Sequence, residues 1–183
     1  LFRSAQLVAS LYPERTLSLT SIMSNTGNPE LPQGQPEAMA ALTAPAADPN
    51  DLEAVVARGM HTWKTIGSPG YPTPDEQLRE WILRDFKRSF HPQGMLRQMA
   101  AIVSNGDRRV KLGNIKAPTV VLHGADDPLV PLAGGEDTAK SIKGAELIAV
   151  KGMGHDFPVS LAGTFADAIE KAARRAGAAK AAE

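Results

Sequence analysis

Two short apolar runs, each emptying into a glycine-bounded loop with an ionisable side chain, constrain this chain more than any other feature. The first, Thr119 to Leu122, is closed by His123-Gly124 and followed by Asp126, Asp127 and the turn-forming Pro128-Leu-Val-Pro131. The second, Ala145 to Val150, ends in Lys151-Gly-Met-Gly-His-Asp-Phe-Pro158. Apolar runs bounded by turn formers predict buried strands, and residues 132–142 between them predict a helix. In an open α/β sheet the reactive groups gather beyond the carboxyl ends of the strands, so an Asp after one strand and a His after the next meet at one rim. A buried carboxylate there fixes the imidazole tautomer and stabilises the imidazolium, which is the acid and base part of a nucleophilic triad.

The rest of the chain frames this unit. Ala5, Leu7, Val8 and Leu11 predict one apolar helical face, which Pro13 ends, and residues 16–23 alternate as a strand does. From Ser24 to Asn50 the composition shifts to Pro, Gly, Asn and small residues, with one short helix expected over Pro36 to Leu42. Leu52, Val55, Val56, Met60, Trp63 and Ile66 recur at helical spacing, with Asn50 as the expected cap. Thr73-Pro-Asp-Glu76 reads as a capping box opening a helix whose stripe is Leu78, Trp81, Ile82, Phe86 and Phe90, ended by Pro92. Met95 to Val103 is a further helix, stopped by Asn105-Gly106. Three or four helices between two strands of one sheet exceed what a crossover requires. Glu146 to Val150 is the expected last strand and Val159 to Arg175 the closing helix, with Leu161, Phe165, Ile169 and Ala172 inward and a fraying tail over 176–183.

Composition excludes several functions. Twenty basic residues balance twenty acidic ones, leaving no electrostatic case for nucleic acid or an anionic membrane. With no cysteine there is no disulfide scaffold, thiol nucleophile or thiolate zinc site. The four histidines lack paired helical spacing, Asp126-Asp127 lacks a calcium-loop pattern, and Gly134-Gly135 belongs to no phosphate loop. No apolar run reaches membrane-spanning length and no basic-then-apolar leader opens the sequence, so a cytoplasmic protein is expected.

The order His-Gly-x-x-Asp-x-x-Val-Pro, helix, strand, Gly-x-Gly-His, helix resembles the C-terminal part of a cap-bearing α/β-hydrolase, of the aclacinomycin methylesterase-like carboxylesterase kind. The resemblance implies a partial α/β-hydrolase fold of about three parallel strands with flanking helices. Residues 1–24 and 107–183 would form the core and residues 25–106 an inserted helical cap. It implies cofactor-free hydrolysis of a small carboxylic ester, with Asp127 matching the family's acid and His155 its base. Met60, Trp63, Trp81 and Met99 would line the pocket under the cap; core packing between cap helices is the competing reading for each.

The family's nucleophile motif does not occur here. No Gly-x-Ser-x-Gly is present; Gly67-Ser-Pro-Gly70 has its second glycine one position too near and no strand before it. Residues 5–23 resemble the helix after the nucleophile turn and the strand that follows, which would put the serine a few residues before Leu1. Ser4, Ser21 and Ser24 are the substitutes near the correct edge, but none sits on a strained strand-to-helix turn. An isolated chain of this kind is expected to be weak or inactive as an esterase. The unpaired edge of its first strand would favour self-association, or completion by an N-terminal half. Asp126 is the competing acid, expected to cap the turn or face solvent. His123 is expected to be packed and hydrogen-bonded, and His61 and His91 to lie at the surface or against cap helices.

Overall fold

The computed structural model describes residues 2–181. In chain order the elements are α1 (Phe2–Leu11), β1 (Leu19–Ile22), α2 (Pro36–Thr43), α3 (Leu52–Ile66), α4 (Asp75–Arg88), α5 (Pro92–Asn105), α6 (Arg109–Leu112), β2 (Thr119–Gly124), α7 (Leu132–Ser141), β3 (Glu146–Val150) and α8 (Ala162–Ala181). The sheet is three-stranded and parallel in the order β1-β2-β3, with Leu19 opposite Thr119 and Val120 opposite Glu146. The fold is therefore α/β, as the strand-helix-strand pattern predicts.

Every residue of β2 is buried, because helices cover both faces of the central strand. On one face Val120 and Leu122 join Ile22, Met153, Leu161, Phe165, Ala168 and Ala172, packing α8 onto the sheet. On the other, Leu19 packs with Ala9, Leu112, Ile115, Ala117 and Ile142 from α1 and the segments around α6 and α7. Truncating Leu122 in such a setting costs about 2–5 kcal/mol, so this central strand fixes the position of whatever follows it.

Several local expectations are corrected by packing. The first strand begins at Leu19, not at residue 16, since its partner β2 begins at Thr119 and earlier residues have nothing to pair with; Leu17 is 70% exposed. In α1 the inward residues are Gln6, Ala9 and Ser10, while Ala5, Val8 and Leu11 face out. Gln6 Nε2 donates to Ser21 Oγ at 3.1 Å, so a polar and small-residue face meets the strand. The α3 cap is Asp51, whose side chain accepts from the Ala54 N–H; Asn50 donates to Asp48 instead. No capping box forms at α4, where Pro74 occupies the cap position without a side-chain bond. Pro92 opens α5 and does not end α4, which stops at Arg88 and leaves Phe90 outside it. Along α8, Ala168 is buried and Ile169 exposed. This helix runs on through Gly177 to Ala181, although the alanine-rich tail predicts fraying; the final two residues lie outside those described.

The helical excursion from the sheet leaves and returns at one place. Thr26 O accepts from the Arg108 N–H at 2.8 Å, and the buried Arg108 guanidinium donates to Asn25 O at 2.6 Å. Gly27 makes the approach possible: it holds φ +77°, and a Cβ there would lie 2.1 Å from Gly106 O. Within the excursion α3 and α4 share a small core of Val56, Leu78 and Ile82, whereas α5 buries no residue. Among the described residues no helix is long and apolar enough to cross a membrane.

Candidate functional site

Asp127 and His155 meet. His155 Nδ1 donates to Asp127 Oδ2 at 2.7 Å across the carboxyl ends of β2 and β3. The Asp127 side chain is fully buried, and its Oδ1 accepts from the N–H groups of Leu129 (2.9 Å) and Val130 (2.8 Å). The turn that the Pro128 to Pro131 pattern predicts thus orients the carboxylate and leaves its second oxygen for the imidazole. The His155 side chain is 20% exposed, and its Nε2 makes no hydrogen bond among the described residues.

The neighbouring groups act as packing and bracing. His123 is buried, with Nε2 donating to Val130 O at 2.8 Å. Burial lowers its pKa, against smaller opposing effects from that bond and from Asp127, so it sits neutral beneath the turn. Gly135 makes room for it, since a Cβ on that α7 residue would lie 2.6 Å from His123 Nδ1. Asp126 is exposed, as the sequence predicts, but its Oδ2 accepts from the Gly152 N–H at 2.6 Å and so ties the two strand-end loops together. His61 and His91 are exposed. At the end of β1, on the same rim, Met23 holds φ 45°, turning the chain off the sheet into the excursion.

Among the described residues no serine hydroxyl is hydrogen-bonded to His155. Ser21 is engaged by Gln6, Ser24 is buried, and Ser4 is exposed on α1. Ser68, from the near-miss Gly67-Ser-Pro-Gly70, is buried and donates to Asp156 Oδ1. Sequence patterning does not single out Asp156 or Ser68 as a pair; the only signals are that Asp156 adjoins His155 and that glycines surround Ser68. Burial raises the Asp156 pKa, partly offset by the bonds from Ser68.

Two cavities border the helical excursion. One of about 530 Å³ is lined by Trp63, Phe86, Phe90, Met95 and Met99 among others. The other, about 820 Å³, brings Trp63 and Trp81 together with Ser68, Asp126, Asp156 and Phe157, the last three lying close in sequence to the Asp127 and His155 pair. Neither is lined by Asp127 or His155 themselves. Met60 lines neither cavity and packs on the Val56, Leu78 and Ile82 core, as Trp81 also does. Among the described residues no cluster of three or more His, Asp or Glu is placed to hold a metal ion.

The architecture is that of an α/β-hydrolase core in part. The family model described as TAP-like protein matches residues 99–171, the segment that contains β2, β3 and the Asp127 and His155 pair. Among solved structures, a meta-cleavage product hydrolase from Pseudomonas fluorescens IP01 superposes with a TM-score of 0.72 at 14% identity, over 96% of this chain and 62% of its own. The 2-hydroxy-6-oxo-6-phenylhexa-2,4-dienoate hydrolase of Rhodococcus sp. strain RHA1 gives 0.62 at 23% identity, over 84% and 53%. An α/β-hydrolase enzyme from a Medee basin deep-sea metagenome library gives 0.56 at 19% identity, over 90% and 58%. The chain therefore spans about half to three-fifths of the length of these solved proteins.

Proposed function

We propose that this chain carries the base and the orienting acid of a serine-type carboxylic ester hydrolase. The observation that carries the reading is the 2.7 Å bond from His155 Nδ1 to a buried, backbone-held Asp127, with Nε2 unbonded among the described residues. In that reading Nε2 accepts the proton of an attacking serine hydroxyl as its oxygen bonds to the ester carbonyl carbon. It then returns the proton to the departing alcohol, and a water repeats the cycle to release the acid. Asp127 keeps Nδ1 protonated and steadies the imidazolium. The serine and the donors for the oxyanion come from outside these 183 residues, and residues 25–106 act as the cap, with Trp63 and Trp81 facing the acyl or alcohol group. An aclacinomycin methylesterase-like substrate is the starting candidate.

The test is the coding sequence in frame upstream of Leu1 together with ester turnover. A strand and a Gly-x-Ser-x-Gly leading directly into α1 are expected there, with hydrolysis of a short-acyl nitrophenyl ester by the extended chain lost in His155→Ala. Turnover unchanged by His155→Ala overturns the reading, as does robust, His155-dependent turnover by the 183 residues alone.

A second reading concerns assembly. Among the described residues β1 pairs only with β2, and Val8, Leu11, Tyr12 and Leu17 present exposed apolar surface beside it. Such an edge invites a further strand, from a second copy or from an N-terminal half supplied in trans. Light scattering across a dilution series tests the first of these, and a monomer at every concentration removes it.

A further inference from the structure

We propose that Ser68 and Asp156 form a positioning couple for His155, clamping the loop that carries the imidazole to the turn after α3. The proposal rests on the reading of His155 as base, and assigns part of its placement to the helical excursion, far from the sheet in sequence.

The contacts surround His155 on both sides. Ser68 Oγ donates to Asp156 Oδ1, one residue after the histidine, and accepts from the N–H of Gly154, one residue before it, at 2.9 Å. The His155 N–H itself donates to Ile66 O at 2.7 Å, and the Gly70 N–H donates to Gly152 O at 2.9 Å. Residues 66–70 therefore hold one side of the loop along its length. The opposite side is held by the turn after β2, through Asp126 and the Ala125 N–H to Val150 O bond of 2.9 Å. Phe157 anchors the loop's far end, its ring centroid 4.8 Å from that of the core residue Phe165.

Ser68 is the joint of this arrangement because a hydroxyl can donate and accept at once. It and Asp156 are both buried, so removing either leaves the other short of a hydrogen bond. The tolerance is small: a shift of about 1 Å in the imidazole takes the Nδ1 to Oδ2 contact beyond hydrogen-bond range. Ser68 does not attack substrate in this scheme, since its hydroxyl is committed to Asp156 and not to His155.

The test is proton NMR of the His155 imidazole in the 183-residue chain, with the signal assigned by its loss in His155→Ala. A slowly exchanging, low-field Nδ1 proton is expected in the parent chain and lost in Asp127→Asn. In Ser68→Ala and Asp156→Ala its exchange with solvent becomes on the order of tenfold faster, while far-UV circular dichroism is unchanged. Asp156→Asn keeps an oxygen acceptor for Ser68 and restores the slow exchange. If Ser68→Ala does not fold, the Asp156→Ala and Asp156→Asn pair carries the comparison. A proton equally protected in Asp156→Ala and the parent overturns the positioning couple and leaves the base reading standing. A parent chain with no such proton, or one indifferent to Asp127→Asn, overturns both.

Discussion

A Cβ on Gly154 would lie 2.3 Å from the carbonyl oxygen of Gly67, so the His155 loop and the turn after α3 touch backbone to backbone. No side chain fits between them, and no flexible group is there to move aside. Gly154→Ala is therefore expected to lower stability by about 1–3 kcal/mol, the usual cost of overpacking, read as a fall in the urea midpoint. Gly163→Ala, where nothing lies within 4 Å of the added carbon, is the matched control and should be neutral or slightly stabilising.

Asp127 carries more structure than its pairing with His155. Asp127→Ala strips acceptors from two backbone N–H groups as well as from the imidazole. A loss of about 2–4 kcal/mol is expected in urea unfolding, from donors left unsatisfied. Asp127→Asn retains one oxygen for the turn and should lose less than half of that, while still abolishing the His155 Nδ1 proton signal.

His123 should make the fold sensitive to mild acid. Its pKa is lowered in the folded chain by burial, so the unfolded chain takes up a proton first as pH falls through about 6.5. The stability it contributes is present above that value and declines below it, until the folded-state pKa is passed. Urea midpoints measured from pH 8 to pH 5 should fall, and His123→Gln should show a flatter profile even if less stable throughout.

Asp156 works in the opposite sense. Burial raises its folded pKa above the ordinary 3.8, so its ionised form is disfavoured in the folded state. Its contribution is favourable below about pH 3.8 and is lost as pH rises through the folded value. Asp156→Asn cannot ionise and keeps the acceptor for Ser68. It should raise Tm by about 2–4 °C at pH 8, the effect of roughly 1 kcal/mol in a chain of this size, and by less at pH 4.

Much of the sheet was legible in sequence because its signals are local. Thr119 to Leu122 and Glu146 to Val150 are apolar runs cut off by glycine, and helices placed at residues 36–42, 52–66 and 132–142 appear within a residue or so at their ends. The meeting of Asp127 with His155 was inferable from strand order, since a right-handed crossover brings consecutive strand ends to one rim. Side-chain burial along single helices was less legible. Ala5, Val8 and Leu11 look like a core face, yet Gln6 points inward, where Ser21 accepts from its amide, and Ser10 is buried with its hydroxyl donating to Leu7 O.

Sequence by itself determined the parallel α/β arrangement, the acid and the histidine at its rim, and the want of a Gly-x-Ser-x-Gly, all of which follow from short-range patterns and residue identity. Tertiary structure alone decided that Ser68 grips Asp156 across eighty-eight positions, that Met60 and Trp81 pack on one helical core while Trp63 and Trp81 also border a cavity, and that α1 turns Ala5, Val8 and Leu11 outward. Those outcomes depend on which distant backbone arrives within about 3 Å, and no periodicity within a segment encodes that.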